Sequence, residues 1–192
     1  LTYEFWGNDS IDIRRPWDLL DANKLLLLCL KSYIKGTVES NASLKGEVMI
    51  GKDTIVRNGA YIQGPVVIGD GCDIGPNCYI RPSTSIGNRV KIGNAVEVKN
   101  SIVMDDTNIG HLAYVGDSVV GMRCNFGAGT KVANLRHDSK TIKSIVKGKR
   151  VDTGRKKLGV IMGDDVHTGI NTSINTGVVL ERNTKPGEIV RI

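Results

Sequence analysis

Every sixth residue from Val38 is aliphatic: Val38, Leu44, Ile50, Val56, Ile62, Ile68, Ile74, Ile80, Ile86, Ile92 and Val98. A second column lies four residues after each. It reads Ala42, Val48, Thr54, Ala60, Val66, Cys72, Cys78, Thr84, Val90 and Val96, all small or β-branched. Strand alternation points both columns inward, so each hexad is a short strand, a tight turn and another short inward step. Glycine follows the aliphatic at Gly51, Gly69, Gly75, Gly87 and Gly93, and glycine and asparagine supply the turn conformations. The step then shortens twice to five residues, giving Val103, Ile109, Val115, Val120, Phe126 and Val132. It breaks after Asn134 and resumes at Met162, Thr168, Ile174 and Leu180.

This repeat resembles the hexapeptide family of left-handed parallel β-helices over roughly residues 36–185, which implies an all-β fold with three hexads per triangular coil. One coil cannot bury its face alone, so stacked neighbours supply the core. The open coil end is a sheet edge that needs covering. Pro16–Tyr33 reads as a helix, with Pro16 in its first turn and Leu19, Leu20, Leu27 and Leu30 as an apolar stripe. It is expected to cap the N-terminal end of the prism, with Cys29 buried beneath it.

Composition agrees with a repetitive β fold: aromatics are 5% of the 192 residues, and glycines number 23. Cys29, Cys72, Cys78 and Cys124 form no C-x-x-C pair and read as buried free thiols of a reducing compartment. The longest apolar run, Leu25–Leu30, is too short to span a bilayer, and no signal peptide is visible. A first residue of Leu1 suggests a cytoplasmic piece of something longer. The net charge of +6 concentrates in residues 135–157, where nine basic residues face Asp138 and Asp152 for a local +7. A loop this long is functional or disordered. It is either a solvated surface or a clamp for polyanionic ligands, and the lack of interleaved aromatics argues against nucleic acid.

Counting coils places the chemistry. Arg81 and Lys99 each follow an inward aliphatic and are eighteen residues apart, so they stack on one outer face about 5 Å apart. Tyr114 points out from the next coil of that face, and His111 stands at the corner leading into it. Two stacked cations with no acid between them suit a phosphate, although Glu97 points outward on the same face. Ordinary surface charge is the plainer reading. Asn125 lies on the adjacent face and Asn134 at the break; either could be a turn residue.

The stretches Val96-Glu97-Val98-Lys99-Asn100-Ser101, Gly110-His111-Leu112-Ala113-Tyr114-Val115-Gly116-Asp117 and Asn125-Phe126-Gly127-Ala128-Gly129-Thr130, with Asn134, resemble the acetyltransferase domain of bifunctional N-acetylglucosamine-1-phosphate uridyltransferases. The basic loop and Gly163-Asp164-Asp165-Val166-His167-Thr168-Gly169-Ile170-Asn171 are closer to the archaeal sugar-1-phosphate nucleotidylyltransferase/acetyltransferase form, whose parent is sometimes labelled glucose-1-phosphate thymidylyltransferase. The Arg14-Arg15-Pro16-Trp17-Asp18-Leu19-Leu20 segment resembles the linker after its nucleotidylyltransferase domain. The resemblance implies a linker and capping helix over 1–35 and an acetyltransferase domain over 36–192. It implies acetyl transfer from acetyl-CoA to the amine of glucosamine- or galactosamine-1-phosphate, without a metal and without an acyl-enzyme. His111 would be the general base, for which an imidazole titrating near ~6.5 is suited. Arg81 and Lys99 would hold the phosphate, Tyr114 and Asn125 the sugar, and Asn134, Lys140 and Lys143 the acetyl-CoA. The family is trimeric, with sites between prisms. The chain departs from the bacterial pattern at Leu135-Arg136-His137, and its insertion is longer.

Two alternatives stand beside this one. A γ-class carbonic anhydrase shares the fold but needs a close histidine pair, and His111, His137 and His167 are 26 and 30 apart. A non-catalytic trimerisation or regulatory tail of a nucleotidylyltransferase needs no intact His111, Lys99 and Tyr114.

Overall fold

The computed structural model describes residues 11–187 and 189–191. It is a left-handed parallel β-helix of triangular section, with one helix and one hairpin added to its side. The first face stacks Tyr33–Ile34 (β1), Val48–Ile50 (β4), Val66–Ile68 (β7), Thr84–Ile86 (β10), Ile102–Val103 (β13), Val119–Val120 (β16), Val160–Met162 (β21) and Val178–Leu180 (β23). The second stacks Thr37–Val38 (β2), Ile55–Val56 (β5), Asp73–Ile74 (β8), Lys91–Asn94 (β11), Asn108–His111 (β14) and Asn125–Phe126 (β17). The third stacks Ser43–Lys45 (β3), Tyr61–Gln63 (β6), Tyr79–Ile80 (β9), Glu97–Lys99 (β12), Tyr114–Gly116 (β15), Lys131–Val132 (β18), Ser173–Ile174 (β22) and Ile189–Val190 (β24). Pairing is parallel and in register, Ile50 beside Ile68 and Ile68 beside Ile86. The five-residue steps shorten the coil without breaking it, so Ile86 pairs with Val103 and Val98 with Val115.

The two sequence columns form the core. Ile50, Ile62, Ile74, Ile80, Ile92 and Ile109 are wholly buried, and Cys72, Cys78 and Cys124 lie among them. A fully buried isoleucine contributes about 1.5–3 kcal/mol relative to exposure. At the corner between the first and second faces, side chains tie coil to coil: the backbone N–H of Lys52 donates to Asp70 (2.7 Å), that of Asp70 to Asn88 (2.8 Å) and that of Asn88 to Asp105 (2.9 Å). Gly93 shows why a corner must be bare, since a Cβ there would collide with the carbonyl oxygen of Gly110 on the next coil.

Three expectations need correction. Helix α1 spans Asp18–Leu28, shorter than Pro16–Tyr33. It does not cap the prism's end: Trp17 and Leu20 pack with Val119, Ile142, Leu158 and Ile161 against the outer side of the first face, and Asn23 donates to the Ser83 carbonyl (3.0 Å) and accepts from the Ser85 hydroxyl (2.6 Å). That face carries an apolar outer patch, and α1 covers it. Cys29, expected beneath the helix, is exposed.

The basic insertion is an ordered hairpin with most of its basic side chains exposed. Lys143–Val146 (β19) and Lys149–Asp152 (β20) form an antiparallel hairpin turned at Lys147-Gly148, both at positive φ. It leaves the corner after the third face and rejoins the first at Leu158–Val160. Ile142 and Leu158 are buried on the way, and the Ser144 hydroxyl donates to the Gly177 carbonyl (2.7 Å). No helix among the described residues is long and apolar enough to cross a membrane.

Candidate active site

Arg81, Lys99, Tyr114 and Asn134 meet on the outer side of the third face. Arg81 follows β9 and lies beside Lys99, since Ile80 pairs with Val98. Each of the stacked cations has an acid, Glu97 as expected and Asp117 in addition. Arg81 donates through Nη1 to Glu97 at 2.8 Å, which raises its pKa, and stands 5.5 Å from the centroid of the Tyr79 ring. Lys99 donates to Asp117 Oδ2 at 3.2 Å.

Asp117 is the residue that sequence reasoning passed over. Its side chain is only 4% exposed, and it sits at φ +52, in the left-handed region. One carboxylate oxygen takes Lys99 and Asn134 Nδ2; the other takes Asn100 Nδ2 at 2.6 Å. Asn134 also donates to the Tyr114 hydroxyl at 3.1 Å. Gly116 permits this crossing: a Cβ there would come within 2.5 Å of the Tyr114 oxygen and 2.8 Å of Asn134 Nδ2. Burial, followed by the nearby Asp117 and Glu97 charges, raises the Tyr114 pKa, so the phenol stays protonated and neutral. Neither its proton nor the Asn134 carbonyl oxygen has a hydrogen-bond partner among the described residues.

His111 ends β14 at the corner between the second and third faces, directly across from Asn94 on the preceding coil. It is exposed, and its ring makes no hydrogen bond among the described residues. The backbone holds its position: its carbonyl accepts from the Gly129 N–H (3.0 Å), and Leu112 turns the chain at φ +54. Asn125 lies on the second face, accepting from Asn108 Nδ2 at 3.1 Å, and is not brought to Arg81 and Lys99. The insertion's Lys140 and Lys143 are both exposed, the latter opposite Asp152 in the hairpin. No group of three or more His, Cys, Asp or Glu side chains arranged to hold a metal occurs among the described residues.

A repeated coil, an intact cluster and an inserted hairpin can be compared with known proteins. The family profile described as the GMPPB C-terminal domain matches residues 62–186. This chain belongs to that family. A protein named as a bifunctional sugar-1-phosphate nucleotidylyltransferase/acetyltransferase from Sulfurisphaera tokodaii is 49% identical over 183 residues, covering 94% of this chain and 46% of its own length. Bifunctional protein GlmU from Methanocaldococcus jannaschii is 50% identical over 172 residues, covering 90% and 42%. The chain therefore spans less than half the length of these relatives. A hexapeptide transferase family protein from Anaplasma phagocytophilum aligns over 81% of this chain and 75% of its own at 16% identity and a TM-score of 0.39.

Proposed function

We propose that this chain transfers an acetyl group from acetyl-CoA to the amine of an amino-sugar-1-phosphate, glucosamine- or galactosamine-1-phosphate, and is the acetyltransferase half of a longer protein that also makes nucleotide sugars. The observation that carries the reading is the third-face cluster, with Lys99, Asp117, Asn134 and Tyr114 joined by hydrogen bonds, Arg81 alongside and His111 at the adjoining corner. The names of the relatives from Sulfurisphaera tokodaii and Methanocaldococcus jannaschii support it.

Each group has a role that its chemistry suits. His111 takes the proton from the amine as nitrogen attacks the thioester carbonyl, and thiolate leaves as the amide forms. Arg81 and Lys99 hold the sugar phosphate by charge-assisted bonds. Tyr114 donates its proton to a sugar hydroxyl, and Asn125 binds the sugar from its separate face. Their separation fits a site shared between neighbouring prisms of a homotrimer. Asn134 and the exposed Lys140 and Lys143 serve acetyl-CoA, the ammonium groups suiting its phosphates. Transfer is direct: Cys72, Cys78 and Cys124 lie in the core column, where burial pushes Cys78 up to about 12 and raises the other two, and the exposed Cys29 ends the helix on the first face, away from the His111 corner. We place the protein in the cytoplasm.

The test is thiol release from acetyl-CoA by the isolated chain. Release on adding glucosamine- or galactosamine-1-phosphate, and none with glucose-1-phosphate, supports acetyl transfer. No release from a folded trimer with either amino sugar would instead favour an assembly or regulatory tail.

A further inference from the structure

The arginines that hydrogen-bond a carboxylate across the coils and the insertion do so in two ways. Arg57, Arg89, Arg123 and Arg136 each present the Nε–Nη2 edge to a single carboxylate, in the paired geometry that suits a guanidinium. Arg81 and Arg155 do not. Each gives only Nη1 to its acid, Arg81 to Glu97 at 2.8 Å and Arg155 to Asp21 at 2.6 Å. Their Nε–Nη2 edges make no hydrogen bond among the described residues, and Nε of Arg155 is buried as well.

These two arginines line the same cleft, of about 320 Å³, at the corner between the third and first faces. Lys99 and Lys24 line it with them, and Asp21 is the single acid in its lining. The cleft has three walls: the coils of Arg81 and Lys99, helix α1 carrying Asp21 and Lys24, and the returning arm of the insertion carrying Arg155. Asn23 fixes the helix over it through Ser83 and Ser85.

We propose that this cleft is a binding site for a phosphate monoester dianion, completed by Arg155 and Lys24, with Asp21 holding Arg155 until the anion arrives. The proposal builds on the reading of Arg81 and Lys99 as the phosphate holders and adds residues from outside the coil. A buried N–H without an acceptor is destabilising, while the pair with Asp21, whose side chain is 55% exposed, returns little. A phosphate accepts through three oxygens and satisfies both idle guanidinium edges, with the two ammonium groups balancing its second charge. Arg155 and Lys24 then select the phosphorylated sugar over the free one.

The experiment is calorimetric titration of the full chain with inorganic phosphate and with glucose-1-phosphate, which carries the phosphate but no amine. Both are expected to bind. Arg155→Gln is expected to weaken both by about tenfold or more. Arg155→Lys, which keeps the charge and loses the paired edge, is expected to fall between. Asp21→Asn is expected to tighten binding, and Arg123→Gln, at a different corner, to leave it unchanged. Circular dichroism checks that each variant is folded. Wild-type affinity in folded Arg155→Gln, or weaker binding in Asp21→Asn, would overturn the proposal. Arg155-dependent phosphate binding in a chain that transfers no acetyl group would sink the acetyl-transfer reading and uphold the cleft. Acetyl transfer with unchanged kinetics in Arg155→Gln would do the reverse.

Discussion

Replacing Asp117 with alanine tests how the site is held together. Its carboxylate accepts from Lys99 at 3.2 Å, from Asn100 at 2.6 Å and from Asn134, with only 4% of the side chain exposed. Removing one partner of a buried pair costs about 3–5 kcal/mol. Lys99 keeps 20% exposure and regains some water, which sets the figure near the lower end, about 3 kcal/mol. Alanine must also adopt φ +52, which adds about 1 kcal/mol. Asp117→Ala is therefore expected to lose about 4 kcal/mol and Asp117→Gly about 3 kcal/mol, because glycine accepts the turn. Asp117→Asn keeps the turn and one acceptor, and is expected to lose about 1–2 kcal/mol. Urea titration followed by circular dichroism reads these losses. In the acetyl-transfer assay, KM for the amino-sugar phosphate should rise in the same order, as Lys99, Asn134 and Tyr114 lose their common anchor. A loss below about 0.5 kcal/mol in Asp117→Ala, within the range of ordinary surface changes, would refute the anchoring role.

Two core threonines should respond in opposite directions to valine. Thr84 has a buried hydroxyl with no partner among the described residues, so Thr84→Val is expected to stabilise by about 1 kcal/mol; Thr54 donates to Gly69 (2.7 Å) and accepts from Cys72 (2.9 Å), so Thr54→Val is expected to cost about 1–3 kcal/mol, both read by urea titration. Arg89 and Arg123 lower the pKa values of Asp106 and Asp165 in the folded state. A depressed carboxyl pKa gives stability that is present above the unfolded value near ~3.9 and is lost as pH falls through the folded value; melting below about pH 4 should thus be steeper in the wild type than in Arg89→Gln or Arg123→Gln. Of the four cysteines, Cys29 alone is exposed, so a thiol reagent should titrate one group in the folded protein and four in denaturant.

Much of this was legible because a solenoid turns sequence spacing into distance. Ile50, Ile68 and Ile86 stack on one face since each of those coils repeats eighteen residues, and the same count put Arg81 beside Lys99. With the five-residue step counted, it also puts Gly116 beside Lys99 and Asp117 at the corner just after, one coil further on. The acid was passed over because an aspartate after a glycine reads first as a turn residue, and at φ +52 it is one as well. The placement of α1 was not legible: Leu20 and Leu27 mark a buried stripe, but a stripe does not name the surface it meets. That surface is built by Val119 and Ile161, outward positions of the first face, together with Ile142 and Leu158 of the insertion. The hairpin carried a usable signal in Lys147-Gly148 between two β-rich runs, hidden by the density of lysines around it.

The central claim is best tested by measuring kcat and KM for acetyl transfer to glucosamine- and galactosamine-1-phosphate in wild type and His111→Ala. A base lost from the corner without disturbing the third face should lower kcat by about 10²–10⁴ with KM for the amino sugar little changed. Unchanged kcat in the folded His111→Ala variant would contradict the account.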